Sequence, residues 1–486
     1  MGQPARRTTR TLWLSLIALC AGQMMIVIDQ NIVNVALPTI QGSLGFTPAN
    51  LVWVVNAYVI PFGGLLLLAG RLGDLISRKT VFLTGITLFG LASLLCGFAS
   101  DEGTLIAFRF IQGIGGAVAS ACILGMVATM FSDSRKQAQA IAAYSFASAG
   151  GGAVGPLLGG VLTDLVSWNW IFFINAPIGA VVVIVAMRTL EKDTGPGLST
   201  GADFLGALLA TSGLMLFVYT SVNAEQIGWG STRTLVLGPL SILLLVGFVV
   251  RELTASQPLI PLKIFRSRRL SAANIVQFLM IAGMFGLLFF GTLYLQRVLG
   301  YTSLQAGLGY VPIAVVIAAI SLGLSARLIV RFGHRSILFL GLALIVVAFV
   351  MLSFVRVDGT YLVDFLPATL VMGLGFGLTA PAMMGLGMSA VAPSESGIAS
   401  GLFNTTQQIG GAIGLTMLSV FVTMRTNNLS AAGASEPEAL VGGYHVAFLL
   451  GAGFVFAALV IAAAMLRTEP AAAEPDAQAE DNVAVT

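Results

Sequence analysis

The chain has 486 residues, 57% of them hydrophobic and 9% charged, with a formal net charge of +3 and a mean hydropathy of +0.94. Soluble domains carry about 25% charged residues, so a water-soluble globular fold is excluded and an integral membrane protein remains. There are only two histidines, His334 and His445, and the three cysteines, Cys20, Cys96 and Cys122, each fall inside an apolar run, so no metal site, cofactor or enzymatic centre is expected.

Apolar runs of about 20 residues recur from end to end, each able to cross roughly 30 Å of hydrocarbon, so the spans are helices and not barrel strands. They are placed at 12–37, 50–69, 80–99, 104–131, 138–163, 171–188, 203–222, 234–252, 272–296, 304–326, 336–355, 361–387, 397–421 and 444–466, a total of fourteen. The 57 glycines suit close helix contacts, because lipid supplies no hydrophobic drive and small residues let backbones approach.

The first span contains Met25 to Pro38, MIVIDQNIVNVALP, where Asp29 interrupts an otherwise apolar helix. A charge there costs a few kcal/mol on insertion scales. Gln23, Gln30 and Asn34 fall within roughly 40° of one another on the helical wheel, with Asp29 about 100° to one side; this polar arc suits a water-filled cavity. Asp29 is then either a proton or cation site or a structural carboxylate locked to an arginine on a neighbouring helix. The stretch is too long for a cleavable signal and is expected to stay as the first span.

Between the second and third spans lies a tight loop, Gly70-Arg71-Leu72-Gly73-Asp74-Leu75-Ile76-Ser77-Arg78-Lys79. Asp74 can interact with the positive N-terminal end of a helix elsewhere in the chain. The thirteenth span, which Ser394 could cap, is the expected partner.

In the fourth span Arg109 lies about five residues from the outer end, close in depth to Asp29. Arginine stays protonated at any accessible pH, an arrangement in which small changes of water access decide whether Asp29 holds a proton. Gln112, Gly113 and Gly116 share the face of Arg109. In the fifth span Gly151, Gly155 and Gly159 repeat every four residues beside Pro156 and Gly160, giving a flat seam and a bend. Trp53, Trp168 and Trp170 stand at span boundaries, where aromatic belts lie.

The seventh and eighth spans carry few polar residues at their centres and are assigned no transport role. The thirteenth carries Ser400, Asn404, Gln407, Gln408 and Gly411, a polar stripe that faces a cavity or serves interhelical hydrogen bonds. With Gln30, Asn34, Asn56, Tyr58 and Gln112, its residues Asn404, Gln407 and Gln408 are the expected substrate contacts; Gln277, Tyr294 and Tyr310 are weaker ones. The tail 468–486, rich in alanine and acids, cannot bury a core and is expected to be disordered.

Basic residues fix the orientation. With the N-terminus inside, nineteen of the 24 Lys and Arg residues fall on inner segments, four (Arg233, Arg297, Arg356, Arg425) on outer ones, and Arg109 within a span. The positive-inside rule then gives N-in, C-in.

A weaker copy of the Gly70–Lys79 loop, Ala326-Arg327-Leu328-Ile329-Val330-Arg331-Phe332-Gly333-His334-Arg335, occupies the equivalent place later, which marks an internal duplication. The loop resembles the signature of the major facilitator superfamily. Ile28 to Pro38 is similar to the first-helix motif of that family's fourteen-helix drug:proton antiporter branch, Arg109 to Ala117 to its fourth-helix motif, Gly151 to Gly160 to its fifth-helix antiporter motif, and Ser167 to Pro177 to its fifth-to-sixth turn. Gln30 replaces a small or hydroxyl residue, Ser77 a glycine that the loop's turn usually has, and Asn169 a common arginine.

The resemblance implies two six-helix bundles, 1–190 and 266–467, rocking about a central site, with two inserted helices and an inner linker over 191–265. It implies proton coupling at Asp29 and Arg109; gating by Gly70, Arg71, Gly73, Asp74, Arg78 and Lys79; and a seam at Gly151, Gly155, Pro156, Gly159 and Gly160 that blocks leak. No Gly-Lys pair occurs anywhere, so no Walker-type phosphate loop is present and an ion gradient is the expected energy source. The expected function is proton-driven export of amphipathic small molecules, drugs or antibiotics, by a monomer in a bacterial cell membrane, with partners limited to substrate, protons and lipid and with no nucleic acid. A dedicated metabolite exporter and a non-transporting membrane sensor or assembly subunit are the alternatives.

Overall fold

The computed structural model describes residues 9–131, 133–191, 193, 195, 197, 201–260, 267–388 and 396–466, and its described part is helical throughout. In chain order the helices are α1 Thr9–Leu44, α2 Trp53–Leu75, α3 Arg78–Gly97, α4 Glu102–Thr129, α5 Ser134–Leu165, the single turn α6 Trp170–Phe173, and α7 Asn175–Thr189; α8 Phe204–Ile227 and α9 Thr232–Thr254; then α10 Arg268–Leu293, α11 Ser303–Gly309, α12 Val311–Ala319, α13 Ser325–Leu352, α14 Leu366–Met388, α15 Ser396–Ala431 and α16 Glu436–Met465. Among the described residues, twelve helices are long and apolar enough to cross a membrane, and α5, bent by 40° between Gln139–Gly152 and Val154–Leu165, makes thirteen. The expected span 304–326 is assembled from shorter pieces. A helix beginning at Val311 runs through a π-type stretch, Ile320–Leu324, into the first residues of α13, and Gly333 then breaks it at φ +78°, a conformation glycine adopts without a steric penalty.

The helices sort by their packing. In the first set, α1 lies against α5 and α7, and α4 against α2 and α3; in the second, α10 lies against α15 and α16, and α13 against α14 and α16. The hairpin α8–α9 stands outside both, with α8 resting on α2 and α15. The sets meet where α2 touches α15 and α5 touches α11.

Boundaries were least legible at the end of the chain. The expected spans 397–421 and 444–466 leave a long connection, but α15 continues to Ala431 and α16 starts at Glu436. The start of α16 is set by a capping box, in which the Glu438 carboxylate accepts from the Ser435 backbone N–H at 2.9 Å while Ser435 caps in return; such reciprocal bonds satisfy free N–H groups without any apolar signal. Trp53 and Trp168 are buried, Trp168 edge-on to Phe172, so they are packing residues. Of the three, Trp170 alone is exposed in the manner of a membrane-belt residue. Ser394 and the tail 468–486 lie outside the described residues.

Candidate functional site

Asp29 sits near the middle of α1 and is 0% exposed. Its side chain points between α4 and α7, into the first helix set. Arg109 Nη1 donates to Asp29 Oδ2 at 2.7 Å, while Gln112 Nε2 and Asn175 Nδ2 each donate to Oδ1 at 2.8 Å. The guanidinium is tied down as well: its Nε donates to Val54 O at 3.0 Å and its Nη1 to Gln112 Oε1 at 2.8 Å, and its carbon lies 4.4 Å from the Tyr58 ring centre. A cation over an aromatic face gains about 2 kcal/mol or more when desolvated. Ser93 Oγ accepts from Asn175 at 3.0 Å and donates to Phe172 O at 2.9 Å. One ion pair thus connects α1, α2, α4 and α7, with α3 behind it.

The sequence builds this centre by leaving room for it. A methyl group at Gly113 would lie 2.3 Å from Tyr58 O, and one at Gly116 2.7 Å from the Tyr58 hydroxyl, so the glycines beside Arg109 let α4 close on α2. Three donors occupy three of the roughly four acceptor positions on the two oxygens of Asp29, two on Oδ1 and one on Oδ2, so a proton takes the open position of Oδ2 and cancels the charge that strengthens all three bonds. Protonation therefore weakens the contacts that hold α1 to α4 and α7.

The expected cavity-facing position of Asp29 is corrected by this geometry. The carboxylate faces the bundle interior, in the locked-to-arginine arrangement that the sequence left open. Three of the expected substrate contacts are also enclosed: Gln112 in the ion-pair network, Tyr58 beneath Arg109 and 0% exposed, and Asn56, whose Nδ2 donates to Thr416 Oγ1 at 2.7 Å across to α15. Asn34 is buried and its amide bonds back to Gln30 O at 3.3 Å. On α15, Gln408 is buried against Gly63, Gln407 accepts from Gln277 Nε2 at 3.4 Å, and Asn404 is exposed. Gln30, half-buried, and Asn404 are the members of the set left most open.

The glycine seam packs in two directions. A methyl group at Gly151 would lie 3.0 Å from Met24 O, one at Gly155 2.8 Å from Asn31 Cβ, and one at Gly159 2.6 Å from Ile32 O, all on α1. Gly160 faces the other helix set, where a methyl group would meet Leu304 Cα at 2.6 Å, and Gly307 of α11 closes on Pro156 O. Next to this contact is an interaction that sequence reading did not find: Asp164, at the end of α5, accepts from the backbone N–H of Ser303 at 3.1 Å and of Leu304 at 2.8 Å. A carboxylate on the first turn of a helix meets free N–H donors and the positive end of the dipole. Gln296 Nε2 donating to Val35 O at 2.7 Å adds a second tie at the same end.

At the opposite end lies the Gly70–Lys79 loop. Asp74 pairs with Arg78 of its own loop at 2.9 Å, and Arg71 bonds Gln257 from the segment after α9. A methyl group at Gly73 would lie 2.5 Å from Cys122 Sγ, and Gly70 faces Ala121, so the glycines seat the end of α2 on α4. Lys79 Nζ donates to the last carbonyls of α7, Met187 O at 2.8 Å and Leu190 O at 2.6 Å. Asp193, which sequence reading did not single out, caps α3: its carboxylate accepts from Ser77 Oγ at 2.6 Å, Arg78 N at 2.7 Å and Lys79 N at 3.2 Å. Burial pushes the Asp193 carboxyl up, but the bonds from Ser77, Arg78 and Lys79 outweigh it and hold it below the usual carboxylate range.

Both departures from the expected motifs have local reasons. Ser77 adopts φ −177° and ψ 123°, extended backbone that requires no glycine, and its hydroxyl accepts from Thr80 N. Asn169 Nδ2 donates to Gly97 O at 2.8 Å, tying α6 to the end of α3.

The model of the Major Facilitator Superfamily matches residues 19–415. The chain belongs to this superfamily. It is 35% identical over 467 residues to a puromycin resistance protein of Streptomyces alboniger, covering 94% of this chain and 92% of that one. It is 36% identical over 462 residues to a cephamycin export protein of Amycolatopsis lactamdurans, covering 95% and 93%. Among solved structures it resembles a bacterial homologue of the human lysosomal transporter Spinster in an inward-facing, occupied conformation, with a TM-score of 0.67, 15% identity, and 95% and 98% of the chains covered. This superfamily member is a multi-pass membrane transporter, not an enzyme, and its solved neighbours share the fold.

Proposed function

We propose that this transporter exports amphipathic small molecules, antibiotics or related metabolites, in exchange for protons, and that it acts as a monomer. The export and resistance activities named for the relatives at 35% and 36% identity support the substrate class. The observation that carries proton coupling is the Asp29–Arg109 pair: a carboxylate halfway along a membrane helix, whose protonation removes the charge that ties α1 to α4 and α7. In this reading the chain has fourteen spans with both termini inside; 1–190 and 266–467 are the moving bundles, and 191–265 carries the inserted pair.

The α5–α11 contact, with Asp164 on the first turn of α11, then lies at the outer face, and the structure corresponds to a state closed outside. Gly151, Gly155 and Gly159 let α5 slide on α1, while Pro156 and Gly160 seal against α11. Gly70, Arg71, Gly73, Asp74, Arg78 and Lys79 act at the inner face, held by Asp193 and Gln257. Gln30, Asn404 and Gln407 are the substrate contacts, joined by Asn34, Asn56, Tyr58, Gln112 and Gln408 when the bundles rearrange. One proton moving inward gains about 2.3 kcal/mol per 100 mV, enough for roughly a fifty-fold gradient of a neutral substrate.

The complete enclosure of Asp29 favours a second reading, in which the pair is a structural tie and the proton is carried elsewhere. Efflux from everted vesicles under an imposed pH gradient separates the two, because a purely structural Asp29 is replaceable by asparagine once folded amounts are matched.

A further inference from the structure

The inserted hairpin leaves a gap that no part of the transport cycle above uses. Helix α8 rests on α2 and α15, and α4 faces it across a groove of about 690 Å³, within the range of drug-sized pockets. Ile106 and Phe110 form one wall at helical spacing, with Leu208, Met215 and Leu216 opposite. Asn50, Trp53, Glu102 and Tyr219 also line it, and Glu102 at the start of α4, bonded to Asn50 just before α2, marks one mouth. From Glu102 to Phe110 the groove runs about 12 Å along α4 at 1.5 Å per residue.

Glu102 is the charged residue of the lining. Asn50 Nδ2 donates to its Oε1 at 2.6 Å, and no arginine or lysine pairs with it among the described residues. A carboxylate in a groove that an indole and a phenol ring also line suits a cation in chemical terms, since ring faces attract ammonium groups. The anionic phosphate of a membrane lipid would be repelled at the same mouth.

We propose that the groove between α4 and α8 binds lipophilic cations, an ammonium or phosphonium head at Glu102 and an apolar body along Phe110 and Met215. The occupant comes from the outer leaflet, because the orientation proposed above places the Glu102 mouth at the outer boundary. Binding itself requires neither transport nor proton coupling, so failure of the export reading leaves this site standing, and the reverse also holds.

The test is photolabelling of the full chain in phosphatidylcholine nanodiscs with a diazirine-bearing quaternary ammonium, with the labelled peptides mapped by mass spectrometry. Wild type should be labelled on α8 around Thr211 to Tyr219, and tetraphenylphosphonium should compete while an uncharged analogue of equal size does not. Glu102→Gln, which keeps the bond to Asn50, should lower the α8 label about ten-fold, a change of the size that one lost ionic contact gives. Ser212→Trp, which fills the trough, should abolish it, and Asp101→Asn, next to the mouth but outside the lining, should not. Equal labelling of wild type and Glu102→Gln overturns the proposal, as does labelling spread evenly over the lipid-facing helices. Loss of label when phosphatidylethanolamine replaces phosphatidylcholine also overturns it, since the occupant would then be a lipid amine.

Discussion

Arg109 Nη1 lies 2.7 Å from Asp29 Oδ2, and neither side chain exposes more than 1% of its surface. Breaking a buried pair by removing one partner destabilises by about 3–5 kcal/mol, because the other charge is left uncompensated. Arg109→Gln is therefore expected to lower the midpoint of thermal unfolding in detergent sharply. Combining it with Asp29→Asn should recover most of that loss without restoring export. Equal stability of Arg109→Gln and the double variant would show that the charges do not depend on each other.

Asp164 receives two backbone N–H groups from the first turn of α11, so Asp164→Asn weakens the tie between the bundles. A change of about 1–2 kcal/mol alters a two-state population roughly five- to thirty-fold. Val35, buried beside the Gln296 bond, serves as reporter: in a chain without native cysteines, Val35→Cys should react slowly with a membrane-impermeant maleimide from outside. Adding Asp164→Asn should accelerate that reaction several-fold. An unchanged rate would remove Asp164 from the gate.

The two faces of the glycine seam separate by substitution. Gly160→Ala places a methyl group 2.6 Å from Leu304 Cα, backbone that cannot turn aside, whereas nothing lies within 4 Å of one at Gly152. Gly160→Ala should reduce export and speed maleimide labelling of Val35→Cys by opposing the contact with α11, while Gly152→Ala should leave both at the wild-type level.

Asp193 caps α3 from outside its own helix, and removing a cap costs about 0.5–2 kcal/mol. Because its carboxyl is held below the ordinary range, its contribution is present above the unfolded-state value of about 3.9 and is lost as pH falls through the lower folded-state value. Asp193→Ala should unfold at a lower temperature than wild type near pH 7, with the difference narrowing toward pH 3. A pH-independent difference would mean that Asp193 acts by packing and not by charge.

The centre was half legible in the sequence. Asp29 and Arg109 could be matched because each is a lone charge in an apolar span and their depths agree. Asn175 escaped because depth and spacing did not distinguish it from an ordinary turn residue, although an amide opening an apolar helix was the available signal. The direction of Asp29 was missed because a helical wheel gives angles between side chains, not which neighbour each faces. Asp164 and Asp193 were out of reach: each binds backbone N–H groups more than a hundred residues away, and backbone donors carry no residue code. The spans were legible because about 20 apolar residues have few alternatives to a membrane helix; the end of α15 and the start of α16 were not, the latter because a capping box fixed it.

The central claim is that Asp29 couples the proton to export. The most direct measurement is drug efflux in everted vesicles under an imposed pH gradient, comparing wild type with Asp29→Asn at matched amounts of folded protein. The account predicts that the variant binds drug but no longer responds to the gradient. Gradient-driven transport by Asp29→Asn at the wild-type rate would contradict it and leave the buried pair as a structural tie.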